Sequence, residues 1–218
     1  MKGNRANRTR RGRVKQNAAV AHKCRHVRPI TAYRQRNSGG NGHREAFNAP
    51  EIWHEPTGHD EIRYYVQPAG DGYHHPVTVD EVADRIGELP ARFADLVEVV
   101  QFSAMTRKRA LFPCYGMQWG PAVYLYPIES SLVETYVRPP HPRQIHEAKM
   151  FGGRWSQDGP QWQLEWTESS LKDFYLNNVL IHEIGHVNDD RNTSFDARER
   201  YANWFAIEYG FRASRGRI

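Results

Sequence analysis

Three side chains on one short stretch carry the chemistry this sequence offers. In Asn178-Val179-Leu180-Ile181-His182-Glu183-Ile184-Gly185-His186-Val187, two histidines stand four residues apart within an apolar run. On an α-helix, positions i and i+4 share a face one turn apart, so His182 and His186 can offer imidazole nitrogens to a single zinc ion. Glu183 projects about 100° round the helix from His182, near enough to reach a metal-bound water without being a ligand itself. Zinc lowers the pKa of such a water to about 7, and a neighbouring carboxylate takes its proton as the hydroxide attacks a polarised carbonyl. The expected chemistry is hydrolysis of a peptide bond.

The surrounding residues set this stretch in a buried helix. Leu171, Phe174, Tyr175, Asn178, His182, Gly185 and His186 fall on one helical face, and Leu176, Val179, Leu180, Ile184 and Val187 cover much of the remainder. Burying two imidazoles and a carboxylate there is costly unless a metal, a partner or a solvent-filled cleft compensates. Thr167 is placed to cap the start of the helix, with Glu168 in its first turn.

A catalytic zinc takes three protein ligands, and two acids compete for the third place. After the turn-forming run Asn188 to Ser194, residues Phe195 to Tyr209 read as a second helix, with Ser194 at its N-cap and Gly210 placed to end it. Glu199, Ala202, Asn203 and Ala206 share one face of it. Ala202, Ala206 and Gly185 are small, so the two helices can pack closely and carry Glu199 to the metal. Asp190, four residues past His186, is the alternative.

The pattern His182-Glu183-x-x-His186 followed by Glu199-x-x-Ala202-Asn203-x-Phe205-Ala206 resembles the gluzincin branch of zinc metallopeptidases, and most of all its small ImmA/IrrE-type members. The resemblance covers about 40 of the 218 residues. It implies His182, His186 and Glu199 as ligands, Glu183 as general base and Asn203 as the group that orients a ligand histidine. It also implies a zincin-like fold in which an edge strand above the metal holds an extended substrate by backbone pairing. The metzincin pattern fits less well, because Asp189 and Asn192 stand where it has glycine and histidine.

Charge divides the chain in two. Residues 1–47 hold thirteen Lys or Arg against one acid, a net of +12, whereas the remainder carries a net of −7. The first part has no apolar periodicity and is expected to be a disordered basic arm. Arms of this kind contact phosphate backbones without reading sequence, so nucleic acid or another polyanion is an expected partner alongside a protein or peptide substrate. A polyanion-binding regulatory protein with a purely structural zinc is therefore the rival to a peptidase. His22-x-Cys24-x-His26 has ligand-type residues at a spacing poor for tetrahedral zinc. No segment approaches 18 uninterrupted apolar residues, so no membrane span is expected. Two distant cysteines, Cys24 and Cys114, suggest a reducing, cytoplasmic setting rather than a disulfide framework.

The elements that must position the motif follow the glycine-rich linker Asn37 to Gly42. An α+β domain of zincin-like type over residues 48–218 is expected, with a mostly antiparallel sheet. Strands are read at Glu61 to Gln67, Val97 to Phe102, Ala122 to Tyr126 and Leu132 to Val137, and a hairpin from Gly152 to Trp166 turning at Gly159-Pro160. The capping box Thr78-Val79-Asp80-Glu81 opens one helix, and Pro90 to about Leu96 forms another short one. The segment Gly120 to Pro127 is read as either the substrate-binding edge or an ordinary core strand, and Gly116 to Gly120 as a turn or bulge. Thr106 to Arg109 reads as a solvated basic turn, His74 and His75 as surface residues, and Trp155, Trp162 and Trp166 as packing. His141, His146, Tyr136 and Tyr201 are candidates to steady the oxyanion, with nothing to choose among them.

Overall fold

A computed structural model describes residues 51–58, 61–111 and 114–216. The basic arm, with Cys24 and its flanking histidines, lies outside the described residues. The elements run β1 (Arg63–Val66), β2 (Tyr73–His74), α1 (Val79–Gly87), α2 (Ala91–Ala94), β3 (Val99–Phe102), α3 (Arg107–Leu111), β4 (Gly116–Trp119), β5 (Ala122–Leu125), β6 (Ile128–Glu129) and β7 (Val133–Tyr136). They continue through α4 (Pro142–Met150), β8 (Arg154–Asp158), β9 (Gln161–Glu165), α5 (Glu168–Phe174), α6 (Leu180–Val187) and α7 (Phe195–Phe205). The class is mixed α+β. No helix among the described residues is long and apolar enough to cross a membrane.

The main sheet has the order β1-β3-β5-β4. Its first three strands are parallel, with Arg63 opposite Val99 and Val99 opposite Ala122, and only β4 runs antiparallel. The expected antiparallel pairing therefore holds for β4–β5 and for the separate β7-β9-β8 sheet, but not for the centre of the molecule. Every residue of β3 and β5 is buried. Strands covered on both faces belong to sheets with cover on each side, the usual setting of parallel pairing.

Alternation along the strands supplies two apolar surfaces. Val100, Phe102, Val123 and Leu125 join the large core against the helices, while Val99, Met117, Ala122, Tyr124 and Tyr126 form a smaller cluster on the opposite face. That second face is covered by the strap 51–58. Gln101, fully buried, donates to the Ile52 carbonyl (2.8 Å) and accepts from the His54 amide (2.9 Å). Tyr124 donates to the His54 carbonyl (3.1 Å), and the His54 ring stacks on Tyr65 at 3.7 Å.

The strap is pinned by an ion pair that the sequence places in a solvated turn. Residues from Arg107 form α3 instead, and Arg109 is buried, its guanidinium forked onto Glu51 at 2.9 and 3.1 Å and lying 4.3 Å over the Tyr126 ring. Burial pushes the Glu51 carboxyl up, but the hydrogen bond and charge of Arg109, with hydrogen bonds from Tyr126 and Trp53, outweigh it and hold it below its ordinary value. A carboxylate depressed in the fold stabilises it above its unfolded value near 4.5, and that contribution is lost as pH falls through the folded value. Arg109→Gln is expected to cost roughly 3 kcal/mol at pH 7, since it leaves the largely covered Glu51 carboxylate without its countercharge, held only by Tyr126 and Trp53. Urea unfolding should show the gap between variant and wild type shrinking as the pH is lowered below 4.5. An equal gap at pH 7 and pH 3.5 would show that the pair does not hold the strap.

Two long helical rods complete the fold. Thr167 caps α5, accepting from the Ser170 amide at 3.1 Å, and the rod passes through a π-helical segment, Tyr175–Val179, into α6. Ser194 caps α7, which continues through a second π segment, Ala206–Arg212, and ends at Gly216 in the left-handed region. Gly210 thus does not end the helix. A Cβ there would lie 2.0 Å from the Asn177 carbonyl oxygen, so glycine lets the two π segments touch. A wide turn leaves carbonyls poorly satisfied, and the buried Arg85 of α1 donates to the Tyr209 carbonyl and to Asn177 Oδ1 (2.7 Å), tying both rods together.

Candidate metal centre

Helix α6 is apolar on nearly all sides, and Leu180, Ile181 and Ile184 are fully buried. Its phase puts His182 and His186 side by side with ring centroids 4.7 Å apart and Nε2 atoms 3.0 Å apart. Both rings are buried, as is Glu183.

Helix α7 brings the third group. Gly185 meets it where a Cβ would stand 3.0 Å from Ala202 Cα and from Phe205 Cβ, so the small residues allow close helix contact, as their spacing predicts. Glu199 Oε1 lies 3.2 Å from His186 Nε2, and its Oε2 lies 3.7 Å from His182 Nε2. One ligand atom from each of the three residues falls within 4.8 Å of the others. Two imidazole nitrogens and a carboxylate are a donor set suited to zinc, and this group could hold a metal ion. The sequence left Glu199 and Asp190 open. Asp190 is exposed and outside this cluster, while its neighbour Asp189 accepts from Asn192 (2.9 Å) in the turn between the helices.

Glu183 stands apart from the three and faces β4. A Cβ on Gly116 would lie 2.9 Å from both Cγ and Oε1 of Glu183, so the strand crosses directly over that carboxylate. The expected turn at Gly116 to Gly120 is a strand, and its first glycine serves close approach. It is also the sheet edge: β5, within the expected Gly120–Pro127 segment, is interior, lying between β3 and β4. Tyr126 N donates to Tyr115 O across the β4–β5 pair (2.9 Å), so by alternation the amides of Gly116 and Gln118 point away from β5 along the free edge. Arg198, next to Glu199, donates to Gln118 Oε1 (3.2 Å), linking α7 to that edge.

A cleft of about 860 Å³ opens beside the cluster. Four of its lining residues adjoin the centre in sequence: Arg200 next to Glu199, Asn178 one turn before His182, Asn203 one turn past Glu199, and Tyr115 next to Gly116. Asn203 is exposed on this wall and makes no side-chain hydrogen bond to either histidine, so the orienting role implied by the resemblance is not the geometry seen. Asn178 instead donates to Glu147 Oε1 (2.8 Å). Among the oxyanion candidates, His141, His146 and Tyr136 line the cleft, whereas Tyr201 packs against Trp204 and Phe205. The Tyr136 hydroxyl donates to Glu134 (2.8 Å).

The reading of the sequence misses several residues of this region. Glu134, fully buried on β7, also accepts from the Tyr115 hydroxyl (2.9 Å) and Trp166 Nε1 (3.1 Å), fixing the cleft floor. A lone glutamate in Leu132 to Val137 gives no sign of that. Helix α4 is likewise unexpected, although Pro142 at its first position after a capping His141 is a helix-start signal. His75 is half-buried, its Nε2 3.0 Å from the Gln67 carbonyl, and neither it nor His74 joins the cluster. Trp166 stacks on Phe174 and Trp155 tilts against Tyr136, so both pack as expected while also lining the cleft.

Comparison with protein-family models, with curated proteins and with solved structures finds no match.

Proposed function

We propose that the chain is a zinc-dependent metallopeptidase of gluzincin type, as its resemblance to ImmA/IrrE-type members implies, acting in a reducing, cytoplasmic compartment on a protein or peptide substrate. The observation that carries the reading is the convergence of His182, His186 and Glu199 from two packed helices, with Glu183 beside them but outside the ligand set. His182, His186 and Glu199 would hold the ion. Bound zinc supplies a Lewis acid for the scissile carbonyl and a water of lowered pKa. Glu183 would serve as general base toward the attacking water and return the proton to the leaving amine, the role that its place off the ligand cluster leaves open. The free edge of β4 holds the substrate backbone extended, through the outward amides of Gly116 and Gln118.

Burial of both imidazoles also suits the rival reading, a polyanion-binding protein with a structural zinc, in which metal removal unfolds the domain. Metal analysis of two variants tests the ligand set first. Glu199→Ala is expected to lower zinc affinity by 100-fold or more, on the order of a lost direct ligand, while Asp190→Ala leaves zinc stoichiometric. If only Asp190→Ala strips the metal, the ligand set is wrong. Retained circular dichroism after chelation favours the peptidase, and concerted unfolding the structural ion.

A further inference from the structure

The cleft beside the centre has a composition of its own. Its floor is apolar and largely aromatic, from Tyr136, Trp155, Leu164, Trp166 and Phe174, with the Glu134 network holding two of those rings in place. Its rim carries two guanidiniums and two imidazoles. Arg143, His141 and His146 stand on or at the start of α4, and Arg200 stands on α7. Neither Arg143 nor Arg200 forms a side-chain ion pair or hydrogen bond among the described residues. Among the described residues the only carboxylate lining the cleft, Glu147, accepts from Asn178.

We propose that this cleft is a specificity site for a peptide carrying a bulky apolar side chain next to an acidic residue. The inference rests on the peptidase reading for its place in the reaction, and on the cleft alone for its chemistry. An aromatic floor of this size rewards a Phe-sized side chain by removing its surface from water. The two guanidiniums lie on separate elements and attract a carboxylate on a passing chain, where a terminal carboxylate would call for converging donors. The lining residues Asn178, Asn203 and Tyr115 are one helical turn from His182, one turn from Glu199 and one residue from Gly116, so the cleft is a neighbour of the metal centre, lined by none of its residues.

Binding, read separately from turnover, tests this. The full chain carrying Glu183→Gln is titrated with acetyl-Phe-Glu-amide, acetyl-Phe-Lys-amide, acetyl-Ala-Glu-amide and acetyl-Phe-Gly with a free C-terminus, following heat by calorimetry and zinc content in the same samples. The Phe-Glu probe is expected to bind on the order of 30-fold more tightly than Ala-Glu and about tenfold more tightly than Phe-Lys at low salt. Arg143→Gln with Arg200→Gln, both at exposed positions, should remove the preference for Glu over Lys and keep that for Phe over Ala. Equal binding of Phe-Glu and Phe-Lys overturns the proposal, as does tighter binding of the free-acid probe than of Phe-Glu. Selective binding without hydrolysis by the wild-type chain would retain the cleft assignment and sink the peptidase; hydrolysis without side-chain preference would do the reverse.

Discussion

Glu183→Gln is expected to leave zinc bound at full stoichiometry and to slow peptide hydrolysis by roughly 10²–10⁴-fold, the usual contribution of a positioned general base. The amide is nearly isosteric with the carboxylate, which matters because Gly116 leaves no spare room against Glu183. An amide cannot take up the proton, so the loss falls on turnover, with binding of the substrate changed little. Quenched peptides containing Phe-Glu, assayed with wild type and variant loaded with equal zinc, supply the measurement. Cleavage within threefold of wild type would remove Glu183 from the mechanism. Zinc lost along with activity would instead place it among the ligands.

Gly210→Ala is expected to destabilise the domain by roughly 3 kcal/mol or more, a midpoint drop of about 10 °C. The added Cβ would stand 2.0 Å from a backbone oxygen of Asn177, and no side-chain rotation relieves that. The two rods must separate, and Arg85 then cannot span Asn177 and the Tyr209 carbonyl together. Glu199 rides on the displaced rod, so weaker zinc binding should accompany the lower melting point. Gly87→Ala is the control: nothing lies within 4 Å of its Cβ, and it should be neutral or slightly stabilising. A midpoint shift under about 2 °C for Gly210→Ala would mean that the rods part easily.

The motif, its helix and the close packing at Gly185 are legible in the sequence because they are local: residue types, a 3.6 period and small residues at matching places. The capping box at Thr78, the N-cap at Thr167 and the hairpin at Gly159 are legible for the same reason. What fails is set by long-range pairing. Nothing near Ala122 says that its strand lies parallel to β3, so the sequence leaves β5 open as an edge, a place that β4 holds. Arg109 reads as solvated because its partner, Glu51, is 58 residues away. Asn203 is a different case: the resemblance supplies its role, while the structure shows an exposed side chain on the cleft wall.

The π segment Tyr175–Val179 sets the orientation of everything after it. A π turn amounts to one additional residue in an α-helix, which rotates the downstream part by about 100° about its axis. Phe174, ahead of it, therefore points its ring at Trp166 and Phe151, while the imidazoles beyond it turn toward Glu199. One rod thus serves two neighbours lying in different directions. Excising a single residue from that segment would swing either the aromatic anchor or the donor atoms out of alignment, with no change to any side chain that performs the work.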